Sequence, residues 1–393
     1  MTATDYILTN DQRTSIEEVL RIVGPKDAAN KYCTPFNVLR WINNFDDIEE
    51  AAKRLQYHLN VRQIKRLDTI HENNDELNKT FSKHFPLHVV GRNRFDDNKV
   101  VVYEPTGNID VYNLLEKVQF TPFMKSRFQK LEAVLRTVNK YEEETKQLSS
   151  AILIINLEGL VLQSNLVNIV KGPYRIMWGT LFDEYPQLFS RIVVINAPSF
   201  MNIIWAAVSQ FLDAELTEKI TILTEETHSE IFEYIDPSYL PTSCGGELDD
   251  ESLSEKIPSF ETFPPPSGDP NVLLKELIIP AGGSLVQVYH FDENTELEFY
   301  LNHQEEFSYI ILYSEENIDY NKWGEEELQE VYAGCELPGL ATTDYWKWKT
   351  PYTGYYYICY GNEKAWFYSV LVNHLINICD AYESTSALPI AEF

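Results

Sequence analysis

The chain has 393 residues, 44% hydrophobic and 13% aromatic, enough to fill two or three packed cores and too apolar for general disorder. A formal charge of −28 argues against static nucleic-acid binding, which rests on clustered Lys and Arg. Five cysteines (Cys33, Cys244, Cys335, Cys359 and Cys379), widely spaced and with no CxxC, make neither a disulfide framework nor a zinc site and suit a reducing cytosol.

The first residues, MTATDYILTNDQRTSIEE, are polar and acidic and lack the plan of a signal peptide. The first 80 residues read as short helices. Ile16, Val19, Leu20 and Val23 recur at helical spacing until Gly24-Pro25 stops the pattern. A second helix is expected over about 35–43, carrying Phe36, Leu39 and either Trp41 or Ile42 on one side, and a third over about 48–64. Lys53, Arg54, Arg62, Lys65 and Arg66 form a basic run that reads first as a solvated helix face. It is also the region best able to meet an anionic membrane, because the net charge is +2 over 1–140 but −15 over each of 141–272 and 273–393.

From about 85 to 246 the pattern alternates. VVVYEP (100–105), AILIIN (151–156), IVVIN (192–196) and ITIL (220–223) read as strands, with helices expected over 122–147, 163–184 and 200–218. Short continuous apolar strands separated by helices predict a largely parallel sheet covered by helices. Residues 247–272, rich in acids and serines and carrying Pro264, Pro265, Pro266 and Pro270, predict a linker. Beyond it, KELIIP, SLVQVYHF, LEFYLN, SYIILY, YYYICY and FYSVLV predict an all-β sandwich.

Residues 192–212, IVVINAPSFMNIIWAAVSQFL, contain no charged residue. Asn196, Pro198, Ser199, Asn202, Ser209 and Gln210 interrupt the run, so it does not suit a membrane span. IVVIN fits a buried strand and APSF a turn. Ile203, Ile204, Ala207, Val208, Phe211 and Leu212 then follow one helical stripe, with Trp205 and Ala206 extending apolar character to the other side. Such a helix is either a buried core helix or a wall that covers something else.

Catalytic templates are missing: no GxxxxGK[ST], GxSxG, HExxH or EF-hand loop occurs. His84 and His88 have the spacing of a helical metal pair, but Pro86 lies between them, and Gly245-Gly246 and Gly282-Gly283 read as turns. No enzyme activity and no metal or cofactor site are expected.

The order of the segments carries a resemblance. FNVLRWINNFDDIEEAAKRLQYHLNVRQIKRLDTI (36–70) resembles the helical N-terminal module of the CRAL-TRIO lipid-transfer family. AILIINLEGL, YPQLFSRIVVINAPSF, FLDAELTEKITIL and LPTSCGGEL resemble, in the family's order, its strand, gate and closing segments. KELIIPAGGSLVQVYHFDENTELEFYL with GYYYICYGNEKAWFYSVLV is similar to a GOLD domain, and CRAL-TRIO followed by GOLD is the layout of the supernatant protein factor or tocopherol-associated protein group.

The resemblance implies a multidomain fold: a helical N-terminal module (10–80), an α/β CRAL-TRIO lipid-binding domain (85–246), a linker (247–272), an all-β GOLD sandwich (273–374) and a C-terminal tail (375–393). It implies one hydrophobic ligand, a phospholipid, isoprenoid or sterol-pathway lipid, behind a mobile gate made by Ile203, Ile204, Ala207, Val208, Phe211 and Leu212. Tyr185, Gln187 and Lys219 are the implied polar contacts to the lipid. In the family's phosphatidylinositol binders a Glu follows the YP pair and a Lys precedes the Ile of the KI segment. Here Lys219 is kept, but the Glu position is Gln187 and a Thr position is Leu216, which puts phosphoinositide recognition in question. The implied setting is cytoplasmic, with transient contact with intracellular membranes and a protein partner for the GOLD domain in membrane trafficking. The rival reading is an adaptor whose lipid pocket is non-functional.

Overall fold

The structure, a computed structural model, describes residues 7–72, 76–93, 98–110, 113–212, 214–249, 253, 256–259, 274–319, 328–379 and 384–393. Its helices are α1 (Asn10–Val23), α2 (Pro25–Ala28), α3 (Pro35–Asn44), α4 (Ile48–Lys65), α5 (Glu76–His84), α6 (Leu114–Lys117), α7 (Phe120–Thr145), α8 (Leu166–Ile169), α9 (Arg175–Glu184), α10 (Met201–Val208) and α11 (Ala214–Lys219). The chain divides into two compact units. One comprises Met1–Asp110, Ser126–Val167 and Trp178–Ser259; the other comprises Val111–Lys125, Asn168–Met177 and Phe260–Phe393.

In the first unit the helix starts are written in the sequence. Thr9 and Gln12 form a reciprocal capping box at α1, Thr34 caps α3 ahead of Pro35, and the Asp47 carboxylate accepts from the amides of Glu49 and Glu50 at α4. Each cap satisfies amides that the helix leaves orphaned, worth about 1 kcal/mol. α1 ends at Gly24, whose φ of 90° suits a residue without Cβ. Ile16, Val19 and Val23 are buried together with Phe36, Leu39, Trp41 and Leu55.

The sheet of this unit is β1 (His88–Arg92), β2 (Lys99–Glu104), β3 (Ser150–Asn156), β4 (Phe189–Ile195) and β5 (Ile220–Ile222), in that order. β2 to β5 are parallel; β1, which the sequence patterning missed, is antiparallel to β2. Successive right-handed crossovers in one direction put their connecting helices on one face. The opposite face, Val101, Tyr103, Ile152, Ile154, Val193 and Ile195, is filled by Leu223, Ile231, Ile235, Leu240, Cys244 and Leu253. The closing turn is tight: a Cβ on Gly246 would lie 2.0 Å from the Leu240 carbonyl oxygen.

Buried ion pairs tie the N-terminal helices to α7. Arg40 meets Glu142 at 2.5 Å and donates to the Ser149 carbonyl at 2.7 Å. Arg62 donates to Glu132 at 2.7 Å and to Asp68 at 2.5 Å. Arg62 is therefore not on the solvated basic face expected of it; its guanidinium lies over the Tyr32 ring, 4.5 Å from the centroid, and its side chain is 4% exposed. Burial works against the Arg62 charge, and the Glu132 carboxylate overcomes this and holds its pKa above the ordinary value.

Two helical expectations are corrected. The helix expected over 163–184 is α8, a π-helical turn at Val170–Tyr174 containing Pro173, and α9. Proline removes an amide donor and clashes with the preceding turn, which the wider turn accommodates. The helix expected over 200–218 is α10, a 3-10 turn at Ser209–Phe211, and α11. His84 ends α5 and His88 begins β1, so the two do not share a helix face; His84 Nδ1 lies 2.9 Å from the Pro258 carbonyl oxygen. The predicted linker begins as part of the fold, with Leu253 and Ile257 buried; 250–252, 254–255 and 260–272 of it lie outside the described residues.

The second unit holds two antiparallel sheets. One runs β10 (Gln329–Leu337), β9 (Phe307–Ser314), β12 (Gly354–Gly361), β7 (Ser284–Phe291), β15 (Ala391–Glu392). The other runs β11 (Leu340–Lys349), β8 (Glu296–His303), β13 (Val370–Cys379), β14 (Ser384–Ser386), with β6 (Lys275–Ile279) also on β13. Tyr289, Phe299, Tyr300, Tyr309, Tyr356 and Tyr360 are almost fully buried in it. The expected tail at 375–393 is corrected: β13 runs to Cys379, and β14 and β15 complete both sheets. The strand expected at FYSVLV starts at Val370, leaving Phe367 and Tyr368 in a loop.

A residue of β11 caps α7. The Asp344 carboxylate accepts from the Thr121 amide at 3.0 Å and its hydroxyl at 2.6 Å, 223 positions away in sequence. Acid at a helix N-terminus complements the orphan amides there. Burial nevertheless dominates and pushes the Asp344 carboxyl from 3.8 up to about 6.

Two outcomes are expected. Arg40→Met leaves Glu142 buried without its cation and should cost about 3–5 kcal/mol at pH 7 by denaturant titration, less in acid where Glu142, raised by burial, protonates. The folded pKa of Asp344 lies above its unfolded value, so its contribution is complete below pH ~4 and lost as pH rises through about 6. Asp344→Asn cannot ionise, so its stability relative to wild type should rise by ~2–3 kcal/mol between pH 4 and 7.5.

Candidate functional site

The region between β4 and β5 is built from the uncharged run. Asn196 leaves β4 with φ 52°, a left-handed conformation that asparagine tolerates, and the Met201 amide closes the Ala-Pro turn onto the Pro198 carbonyl. Asn156, at the end of β3, anchors this turn. Its Oδ1 accepts from Asn196 Nδ2 at 2.8 Å and from the Glu158 amide at 2.9 Å, while its Nδ2 donates to the Tyr103 hydroxyl at 2.9 Å and faces Cys244 Sγ at 3.3 Å. One buried amide thus joins the ends of three strands to the closing segment. Local sequence patterning gave no hint of this role. Burial raises the Cys244 thiol pKa.

α10 then presents its stripe unevenly. Ile204 and Ala207 are buried, Trp205 and Val208 half-buried, and Ile203 is 47% exposed. The 3-10 turn carries Phe211, 50% exposed, and Leu212 follows outside the helix, half-buried. The six residues expected on one stripe therefore split: Ile203, Ile204, Ala207 and Val208 ride on α10, and Phe211 and Leu212 do not. A helix of eight residues is marginal alone and is held in place by packing.

Gln187 and Lys219, 32 positions apart, are brought together. Lys219 Nζ donates to Gln187 Oε1 at 3.0 Å and to Glu215 Oε1 at 2.7 Å, and Gln187 Nε2 donates to Glu215 and, at 3.4 Å, to Asn44 Oδ1. Glu215, one turn before Lys219 on α11, supplies a carboxylate beside this ammonium; sequence reasoning overlooked it. The hydrogen bonds from Lys219 and then Gln187 hold the Glu215 carboxyl below its usual range. Tyr185 sits elsewhere. It is buried, donates its hydroxyl to Glu132 at 2.7 Å and packs edge-on against His58, whose Nδ1 lies 2.6 Å from Glu184. Burial, then the Glu132 charge, keeps the Tyr185 hydroxyl protonated far above ordinary pH.

A cleft of about 250 Å³ lies at the start of β2 and β4, lined by Lys99, Ile152, Ser190, Arg191, Glu233 and Tyr234. It is small, below the ~300–1,000 Å³ of typical ligand pockets. Among the described residues, no group of His, Cys, Asp or Glu could hold a metal ion, and no helix is long and apolar enough to cross a membrane.

Residues 87–246 match the model of the CRAL/TRIO domain, and residues 261–385 match a C-terminal domain model of the F28H7_8_C-like type. The chain is 29% identical over 348 residues to the CRAL-TRIO domain-containing protein F28H7.8 of Caenorhabditis elegans, covering 86% of this chain and 83% of that protein. It is 26% identical over 207 residues to the phosphatidylinositol/phosphatidylcholine transfer protein SFH7 of Arabidopsis thaliana, covering 51% of this chain and 37% of that protein. The crystal structure of Sfh5 superimposes with a TM-score of 0.43 at 16% identity, over 64% of this chain and 93% of that one.

Replacing Lys219 by Ala removes the main partner of Glu215. Its carboxyl should then titrate at higher pH than in wild type, as followed by carboxyl-resolved NMR.

Proposed function

We propose, from the CRAL/TRIO domain that residues 87–246 form, that this protein encloses one hydrophobic ligand and transfers or presents it at membranes. The observation that carries the reading is the uncharged segment 192–212, part of which stays exposed at Ile203 and Phe211. A two-chain lipid exposes tens of methylenes, each costing about 0.8 kcal/mol in water, so a carrier must cover the chains fully and open only at a membrane. A short apolar helix without charges meets both needs, since a charge on the pocket wall would require costly desolvation. Relatives named as phosphatidylinositol/phosphatidylcholine transfer proteins support a phospholipid as the ligand class.

The gate is α10 with the turn that follows it, and the polar rim is the Asn44, Gln187, Glu215 and Lys219 cluster. There the Lys219 ammonium is the group suited to a phosphate, and Glu215 competes with phosphate for it. That competition favours a headgroup with weaker demands on the cation, or a neutral lipid, over a phosphoinositide. Tyr185 acts behind the rim, bracing α7 through Glu132. No covalent chemistry, metal or cofactor is part of the reading. The C-terminal β-sandwich, read as GOLD-like, supplies a protein contact in trafficking, and the setting is cytoplasmic with transient membrane association.

The adaptor reading, with a vestigial pocket, is separated by one experiment. Solvent extraction of the purified full chain followed by mass spectrometry should release a stoichiometric lipid; protein that is lipid-free and inactive in vesicle-to-vesicle transfer leaves only the adaptor. Val208→Asp places a charge on the half-buried side of α10 and should reduce transfer at least tenfold without changing the melting transition of the C-terminal sandwich. Unaltered transfer by that variant refutes the gate.

A further inference from the structure

The β12–β13 connection carries Trp366, Phe367 and Tyr368 at 85%, 95% and 58% exposure, a run of aromatics on a loop tip. Apolar side chains of this size normally bury 150–250 Å² each, so leaving three consecutive ones in water demands a reason. The loop is not loose at its base. Asn362, itself buried, donates its side-chain amide to the Pro280 and Tyr368 carbonyls at 3.2 and 3.0 Å. Its backbone exchanges hydrogen bonds with Gly282 and Gly283 of the β6–β7 turn. Gly282 has φ +68°, and Ala365 folds back onto the Asn362 carbonyl at 3.1 Å. Two loops are laced together, and the aromatics project from a rigid footing. Ile278 and Leu371, opposite each other on β6 and β13, add exposed apolar surface beside the tip, and exposed Phe393 pairs with Val286 near the same end of its sheet.

We infer that Trp366, Phe367 and Tyr368 form a membrane-inserting tip on the C-terminal sandwich, whose occupant is the interfacial region of a zwitterionic phospholipid bilayer. Three features select a bilayer over a protein. The surface is a protruding tip rather than a groove. Its aromatics expose roughly 400–600 Å², short of the ~800 Å² per partner of a stable protein interface. The order Trp-Phe-Tyr places the wholly apolar ring at the most exposed position, between two amphipathic rings of the kind enriched at the membrane–water boundary. Charge selects the lipid. Residues 273–393 carry 20 acidic and 5 basic side chains, Glu305, Glu306, Glu336 and Glu363 flank this end of the sandwich, and nearby Lys364 is already paired with Glu336. An anionic surface is repelled, so insertion must be driven by apolar transfer and must resist salt. This tip is independent of the CRAL/TRIO gate and does not rest on the transfer reading.

The test is flotation of the full chain with phosphatidylcholine vesicles and with vesicles containing phosphatidylserine, at 0.1 and 0.5 M salt. Wild type should bind the phosphatidylcholine vesicles with less than about twofold change across that salt range, and the phosphatidylserine vesicles more weakly at low salt. Phe367→Asp and the double variant Trp366→Ala, Phe367→Ala should each weaken binding by about tenfold or more, with unchanged melting and unchanged co-extracted lipid. The inference is overturned by unchanged binding of both variants, by no binding of wild type to phosphatidylcholine, or by binding to anionic vesicles alone that salt abolishes. It is equally overturned by a wild-type dimer that Phe367→Asp dissolves, which would make a second copy the occupant.

Discussion

The frame of the first unit is set by charge pairs buried away from water. Arg40 with Glu142 and Arg62 with Glu132 fix the N-terminal helices in one register on α7, because a shift of either helix would strand an ion in the interior. Apolar contacts tolerate sliding; a guanidinium aligned on a carboxylate does not. Tyr185, Tyr32, Trp41 and His58 pack around the second pair and extend the same constraint to the end of α9.

The segment after β4 is less deeply buried than that frame. α10 is short, gives way to a 3-10 turn, and leaves Ile203 and Phe211 partly in solvent. Its start is nonetheless firm, because Asn156 pins Asn196 to the ends of β2 and β3. One face of the sheet is packed by Leu223, Ile231, Ile235, Leu240, Cys244 and Leu253.

The C-terminal unit solves a different problem. In its aromatic core Tyr345 and Tyr300 bury their rings and satisfy their hydroxyls on Glu298. It also contributes Asp344 to the start of α7, so a strand residue completes a helix cap that the helix's own sequence does not provide. Exposed aromatics at one loop tip of so well-packed a unit therefore stand out as surface held ready for an apolar environment.

Sequence alone determined much of this protein. The Gly24 stop, the four parallel strands and most strands of the sandwich follow from local periodicity and turn chemistry, which depend on near neighbours. The order of the segments carried the resemblance that the match of residues 87–246 to the CRAL/TRIO domain model bears out. Tertiary structure alone decided where long-range partners meet: that Arg62 is buried on Glu132 rather than solvated, that Glu215 supplies the carboxylate beside Lys219, that Asn156 ties three strands together, and that Asp344 caps a helix 223 positions earlier. It also decided that α10 ends at Val208 and that the last residues close two sheets, since helix ends and edge strands are set by what packs against them and not by the pattern they carry.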